Sequence, residues 1–281
     1  VKTPQWITVV FAIVAVAFIY RFARTQPNNK GIVVKSQAES VSGGALTDTI
    51  LNMARRQISP QQLVRLNMLE NSVSRGDVKE QKIKIYHQLA HFWLDSANLF
   101  LPYAWYEGEA ARLENSEKTL TFAARSFLDN LQQEQSPDFR RWEALQAKDL
   151  FERSLIINPD NDSAKVGLGG CYLFGNISAM PMEGITKIRE VLQKDSTNVY
   201  AHLMLVKGSL MTGQYNNAIG RLQTVLRVQP DNLEAILLLA EVYERTNDKP
   251  NAVKWYRESL HHVKREDIKT EIEKRIAELS K

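Results

Sequence analysis

At 281 residues the chain is long enough for one elongated repeat domain or two compact ones. Its pI near 9.0 invites a nucleic-acid reading. However, residues 1–35 hold five bases and no acid, which leaves 31 basic against 32 acidic residues over 36–281. The basicity belongs to one end of the chain, so no nucleic-acid partner is expected. The single cysteine, Cys171, permits no disulfide within one chain.

The first element is an uncharged run of 18 residues, Thr3 to Tyr20, with the apolar core WITVVFAIVAVAFIY. A bilayer-crossing helix needs roughly 17 to 25 residues, so this run is just sufficient. Trp6 and Tyr20 bracket it as interfacial aromatics do, and Arg21 and Arg24 can snorkel. The competing reading is a cleaved signal peptide, with Ala15 and Ala17 as the small-residue site. Cleavage there would leave Phe18, Ile19 and Tyr20 exposed, which favours an uncleaved anchor over residues 1–22 with residues 6–22 in the lipid bilayer. Arg21, Arg24, Lys30 and Lys35 follow the span and only Lys2 precedes it. The positive-inside rule therefore favours a single-pass protein of the cell (inner) membrane with its bulk in the cytoplasm; the periplasmic side is the alternative.

Residues 23–45 are polar, contain Pro27 and end in Ser-Gly-Gly, and they read as a flexible linker. From Leu46 the pattern is helical. Ser59-Pro60-Gln61-Gln62 combines a capping Ser, Pro at the first helical position and Gln in capping-box position. Asp77 with Glu80 offers the same signal for the next helix, after a turn at Gly76. That helix carries Ile83, Tyr86, Ala90 and Trp93 at helical spacing. An aromatic cluster follows (Phe100, Tyr103, Trp105, Tyr106), interrupted by Pro102. Ser116 to Leu131 and, after a loop near Ser136, a helix through Ala147 complete a section of divergent helical repeats over 46–133.

The clearest pattern lies further on. Leu205, Gly213, Tyr215, Ala218, Leu222, Leu226 and Pro230 recur in neighbouring units. Leu239, Ala240, Tyr243, Ala252, Tyr256 and Leu260 stand downstream. Leu168, Gly169, Tyr172, Gly184, Ile188 and Leu192 stand upstream, with three extra residues around Ser178 to Pro181. Ala147, Phe151, Leu155 and Pro159 mark half of an earlier unit. In such a unit a first helix runs to a Gly-containing turn, a second packs back through a small residue, and Pro-Asp-Asn closes it. These residues resemble the tetratricopeptide repeat family over 134–264. The resemblance implies an all-α fold, a right-handed superhelix (solenoid) of helix pairs preceded by one transmembrane helix. Residues 265–281, with Ile268, Ile272, Ile276 and Leu279 as one apolar stripe, are expected to form the capping helix.

Chemistry-bearing motifs are weak. His87 and His91 lie one turn apart, but Gln88 stands where a zinc protease needs its general base, and no third ligand is evident. Gly167 to Gly170 lacks the strand and third glycine of a dinucleotide fingerprint, and Gly169 is the close-packing position of a repeat. Cys171 reads as a small buried residue. No catalytic residue, metal or cofactor is expected, and the chain is not expected to be an enzyme.

The family resemblance implies instead a protein-binding groove lined by the first helix of each unit. Carried onto this sequence, its positions are Val166, Leu173, Tyr200, Leu203, Lys207, Leu210, Leu237 and Glu241, with Ser163, Gly170, Glu234 and Glu244 at the remaining stations. The groove is expected to be apolar, crossed by Lys207 alone among cations and edged by acids. The Lys/Asn pairs with which some relatives clamp a chaperone's C-terminal carboxylate are absent, since Val166/Gly170 and Leu203/Lys207 stand there. Two functions fit: a membrane-tethered scaffold holding a segment of a partner protein as an assembly or translocation accessory, and a chaperone-like handler of nascent or exported chains.

Overall fold

The computed structural model describes residues 37–75, 78–178 and 181–281. The expected anchor over residues 6–22 and linker residues 23–36 lie outside them. Among the described residues no helix is long and apolar enough to cross a membrane. The stretch 37–45, expected to be linker, is helical: α1 runs over Gln37–Arg55. Its Ala45 and Leu46 have high helix propensity, and the Gly43-Gly44 pair did not act as a stop.

Residues 46–281 form one compact unit that is all-α among the described residues. Its helices are α2 (Pro60–Arg75), α3 (Lys79–His91), α4 (Phe100–Glu114), α5 (Glu117–Leu131), α6 (Pro137–Ile157), α7 (Asp162–Phe174), α8 (Met182–Lys194), α9 (Val199–Met211), α10 (Tyr215–Val228), α11 (Leu233–Arg245), α12 (Lys249–Leu260) and α13 (Glu266–Leu279). Neighbours in sequence pack as antiparallel pairs, α5 with α6, α7 with α8, α9 with α10 and α11 with α12.

Local chemistry sets the ends of these helices. Ser59 and Gln62 form a reciprocal capping box, the Ser59 N–H donating to Gln62 Oε1 at 2.8 Å and the Gln62 N–H to Ser59 Oγ at 3.3 Å. The cap expected at Asp77 lies outside the described residues; α3 starts after Val78, which offers no side-chain cap. Pro102 does not interrupt the aromatic cluster but occupies the first turn of α4, where a missing N–H costs nothing. Between α3 and α4 a π-turn, Phe92–Ser96, inserts an extra residue and turns both Phe92 and Trp93 into the core.

The repeat is visible as chemistry recurring along the chain. Asn161, Asn198 and Asn232 each cap the first helix of a pair, accepting from the N–H of Ala164, Ala201 and Ala235 at 2.9, 3.0 and 2.9 Å. Each of those alanines is fully buried. The turn inside each pair has one left-handed residue, Asn176 (φ 49°), Gly213 (φ 69°) and Asn247 (φ 60°), the residue types that adopt this conformation most readily. The close approach of each second helix falls on Gly184, Ala218 and Ala252, of which Ala218 and Ala252 are fully buried. The α7/α8 crossing is the tightest: a Cβ on Gly169 would meet Ile188 Cγ1 at 2.6 Å and the Gly184 carbonyl oxygen at 2.7 Å.

The core is a succession of clusters, as expected when each repeat buries itself against its neighbours. Leu66, Leu89, Phe92 and Trp93 form one, and Phe127, Trp142, Phe151 and Ile188 belong to a second. Leu203, Val206, Ala218, Leu222 and Leu239 belong to a third. The last helix buries Ile272 and is fastened by Arg275, which with the Tyr256 hydroxyl engages Glu244 on α11.

A candidate peptide-binding groove

The first helices of three of these pairs, α5, α9 and α11, border a cavity of about 980 Å³. α9 supplies Val199, Tyr200, Leu203, Met204 and Lys207, and α11 supplies Glu234, Leu238 and Glu241. α5 and the turn after it supply Arg125, Asp129, Gln132 and Gln133. A second cavity of about 620 Å³ adjoins it through Arg125 and Asp129 and extends along α5 past Phe122 to Lys118, with Ser163 on the opposite wall. A third, about 280 Å³, adjoins through Gln132 and Lys207 and is lined by Leu210, Met211 and Phe174. We refer to the three, which share these lining residues, as the groove along α5.

The structure sorts the expected groove residues. Tyr200, Leu203, Lys207 and Glu241 line the main cavity, and Leu210 lines the third. Val166 does not belong to the groove, being fully buried in the central core, and Leu173 is half-buried against that core. Gly170 lies in the same interior, its missing side chain accommodating Met204 and Leu128. Leu237 is displaced by its neighbour Leu238. Leu238 lines the cavity beside Glu234 and Glu241, whereas Leu237, on the flank of the same face, does not. Leu203 shows only 7% of its surface, and the remainder packs with Val206, Ala218 and Leu222. Glu244 is held by Arg275 and Tyr256 rather than by the groove.

The electrostatic expectation is corrected more sharply. The groove is not an apolar channel with Lys207 as its one cation. Arg125 enters from α5, its guanidinium carbon 4.7 Å from the centre of the Tyr200 ring, where it is held by cation–π attraction. Lys207 is engaged by Glu234 at 3.0 Å, and Glu241 by Arg245 at 2.6 Å. Asp129 lines the same cavity and feels both cations. Burial raises its pKa, partly offset by Arg125 and Lys207. The Tyr200 hydroxyl is buried without a hydrogen-bond partner among the described residues, and burial pushes its pKa up. Sequence reasoning missed the α5 contribution because that helix lies in the divergent section. The signal that could have found it is the face Lys118, Phe122, Arg125 and Asp129, spaced by four, three and four residues, with Phe122 62% exposed.

The other motifs resolve into structure. His87 sits between two carboxylates of α4, Nδ1 3.1 Å from Glu107 and Nε2 3.0 Å from Glu114. Burial alone would lower its pKa, but the hydrogen bonds to Glu114 and Glu107 raise it above the ordinary histidine value. His91 pairs with Asp95 on its own helix. Gly167 to Gly170 lie inside α7 and serve close packing, and Cys171 is fully buried, its thiol pKa raised by burial.

Residues 203–267 match the tetratricopeptide repeat family. The helix pairs around them make the described residues an all-α helical-repeat array. The chain is similar to lipopolysaccharide assembly protein B of Haemophilus influenzae, 34% identical over 110 residues, which are 37% of this chain and 27% of the relative. The match thus spans about a quarter of that protein's length. Among solved structures it is similar to MamA of Desulfovibrio magneticus RS-1, with a TM-score of 0.41 at 18% identity over 66% of this chain and 96% of that one. A second MamA structure gives a TM-score of 0.41 at 14% identity, over 64% of this chain and 91% of that one.

Proposed function

We propose that this chain is a membrane-tethered scaffold, a right-handed superhelix of repeats whose groove holds a segment of a partner protein during an assembly process at the cell membrane. The observation that carries the binding part is the groove along α5, with its 980 Å³ central cavity lined by α5, α9 and α11, the first helices of three of the pairs. Phe122, 62% exposed on its wall, offers a large apolar contact without being needed for the fold. Such a groove suits an extended or helical segment. The relative's name, lipopolysaccharide assembly protein B, supports the assembly part. The tether rests on the apolar run Trp6 to Phe22, and its basic flank favours a cytoplasmic position for the repeats. The proposed activity is binding, without catalysis.

The test pairs recovery with folding. A Phe122→Glu, Lys207→Ala double variant should lose the partner recovered by affinity purification from solubilised membranes while keeping the parental circular dichroism melt. Full recovery by the folded variant would move the site off this groove. The tether is tested separately: the native protein should remain in the membrane pellet after carbonate washing, and release to the supernatant would refute it.

A further inference from the structure

The charge left over in the groove indicates what it selects. In the main cavity Arg125 rests on the Tyr200 ring, Lys207 is engaged by Glu234, and Glu241 is matched by Arg245. Among the described residues none forms a hydrogen bond or ion pair with the Asp129 carboxylate, which lines both the main cavity and the cavity beside Phe122. Burial disfavours its charge, Arg125 and Lys207 attract it without a direct bond, and Glu234 adds repulsion. An anionic side chain arriving at this carboxylate would meet Asp129, Glu234 and Glu241. A lysine or arginine would make the direct pair that the Asp129 carboxylate lacks among the described residues.

The spacing adds a second requirement. Phe122 and Asp129 lie seven residues apart on one helix, about 10.5 Å at 1.5 Å per residue. A chain in polyproline-II conformation advances about 3.1 Å per residue and returns to the same face every third residue, so it covers that distance in about three residues. Gln132, Gln133 and Gln229 line the same cavity and carry both donors and acceptors, the equipment for holding the main chain of such a segment.

We propose that the groove recognises an extended protein segment of the form apolar-x-x-basic, its apolar residue on Phe122 and its lysine or arginine on Asp129. This rests on the groove being the partner site, and it reverses the polarity expected from Lys207 alone.

Fluorescence anisotropy with the purified full-length protein in detergent tests it. The probes are three labelled twelve-residue Gly/Ser peptides that differ only in the last position of a central Leu-x-x-Lys, Leu-x-x-Gln or Leu-x-x-Glu. The lysine peptide should bind roughly two- to fivefold tighter than the glutamate peptide, the range that exposed ion pairs produce, and added salt should narrow the gap. Asp129→Asn should make the lysine and glutamine peptides equivalent, with its dichroism melt unchanged. Phe122→Ala should weaken all three equally. Preference for the glutamate peptide, or lysine preference that survives Asp129→Asn, would overturn the basic-anchor proposal. Equal binding of all three peptides, lost in Phe122→Ala, would also overturn it while leaving the groove itself intact as the site. Binding of none of them would overturn the proposal together with the groove reading beneath it.

Discussion

Glycine-to-alanine substitutions at four helical positions probe the packing account, because the same chemical change should stabilise at two sites and destabilise at two. In a helix interior alanine is favoured over glycine by about 1 kcal/mol, through reduced backbone entropy in the unfolded chain and better propensity. At Gly220 a new Cβ meets nothing within 4 Å, and at Gly208 it meets only Leu173 Cδ1 at 3.8 Å, an ordinary contact. Both variants should gain about 0.5–1 kcal/mol. At Gly169 the new atom lies 2.6 Å from Ile188 Cγ1 and 2.7 Å from the Gly184 carbonyl oxygen, and at Gly184 it lies 2.4 Å from the Gly169 carbonyl oxygen. A backbone oxygen cannot swing aside, so α7 and α8 must separate, at an overpacking cost of about 1–3 kcal/mol. The backbone overlap puts that cost toward its upper end, above the propensity gain, and leaves a net loss of about 1–2 kcal/mol. For a unit of this size the melting shifts are about +2 °C for Gly208→Ala and Gly220→Ala, and several degrees downward for the other two. Thermal melts followed by circular dichroism read these signs directly. A Gly184→Ala protein that melts at or above the parent would refute the close α7/α8 crossing.

Other outcomes follow from the same packing. Leu203→Asp should destabilise strongly, since a carboxylate would enter the cluster of Val206, Ala218 and Leu222, and a melt equal to the parent's would show Leu203 to be a groove residue alone. Glu143 is fully buried with Asn130 donating to it at 2.6 Å, and burial pushes its pKa up to about 8 from 4.5. The folded state therefore keeps a proton that the unfolded chain releases, so stability present at low pH is lost as pH rises from about 4.5 to 8. At pH 7 the loss is on the order of 3 kcal/mol, at about 1.4 kcal/mol per pH unit. Glu143→Gln should flatten denaturant-derived stability over that window, and an unchanged slope would count against the buried neutral acid. His87, whose pKa is raised, contributes stability that is present below 6.5 and lost as pH climbs through its higher folded value. His87→Gln should remove that component of the pH–stability curve.

Much of the repeat architecture is legible because a few residue types have no substitute at their positions. Gly213, Ala218 and the Pro-Asp-Asn turns mark the period, and Ser59 with Gln62 announces a helix through backbone groups only they can satisfy. The groove is less legible. Lys207 reads as a free cation because its partner Glu234 belongs to the next unit, and Arg125 meets Tyr200 only once α5 and α9 are side by side. Such pairings are set by the stacking of repeats, which leaves no periodic trace in the chain. Leu203 and Val166 differ for a related reason: a leucine or valine on a first helix suits either the groove or the core, and small rotations of the helix decide between them.

The central claim, that partners lie in the groove along α5, is tested most directly by photo-crosslinking in intact cells. A photoreactive amino acid would replace Phe122 or Lys207 in the groove, or Lys254 on α12, whose residues line none of the three cavities. The account predicts one shared crosslinked partner from both groove positions and none from Lys254. A partner captured from Lys254 and from neither groove position would contradict it.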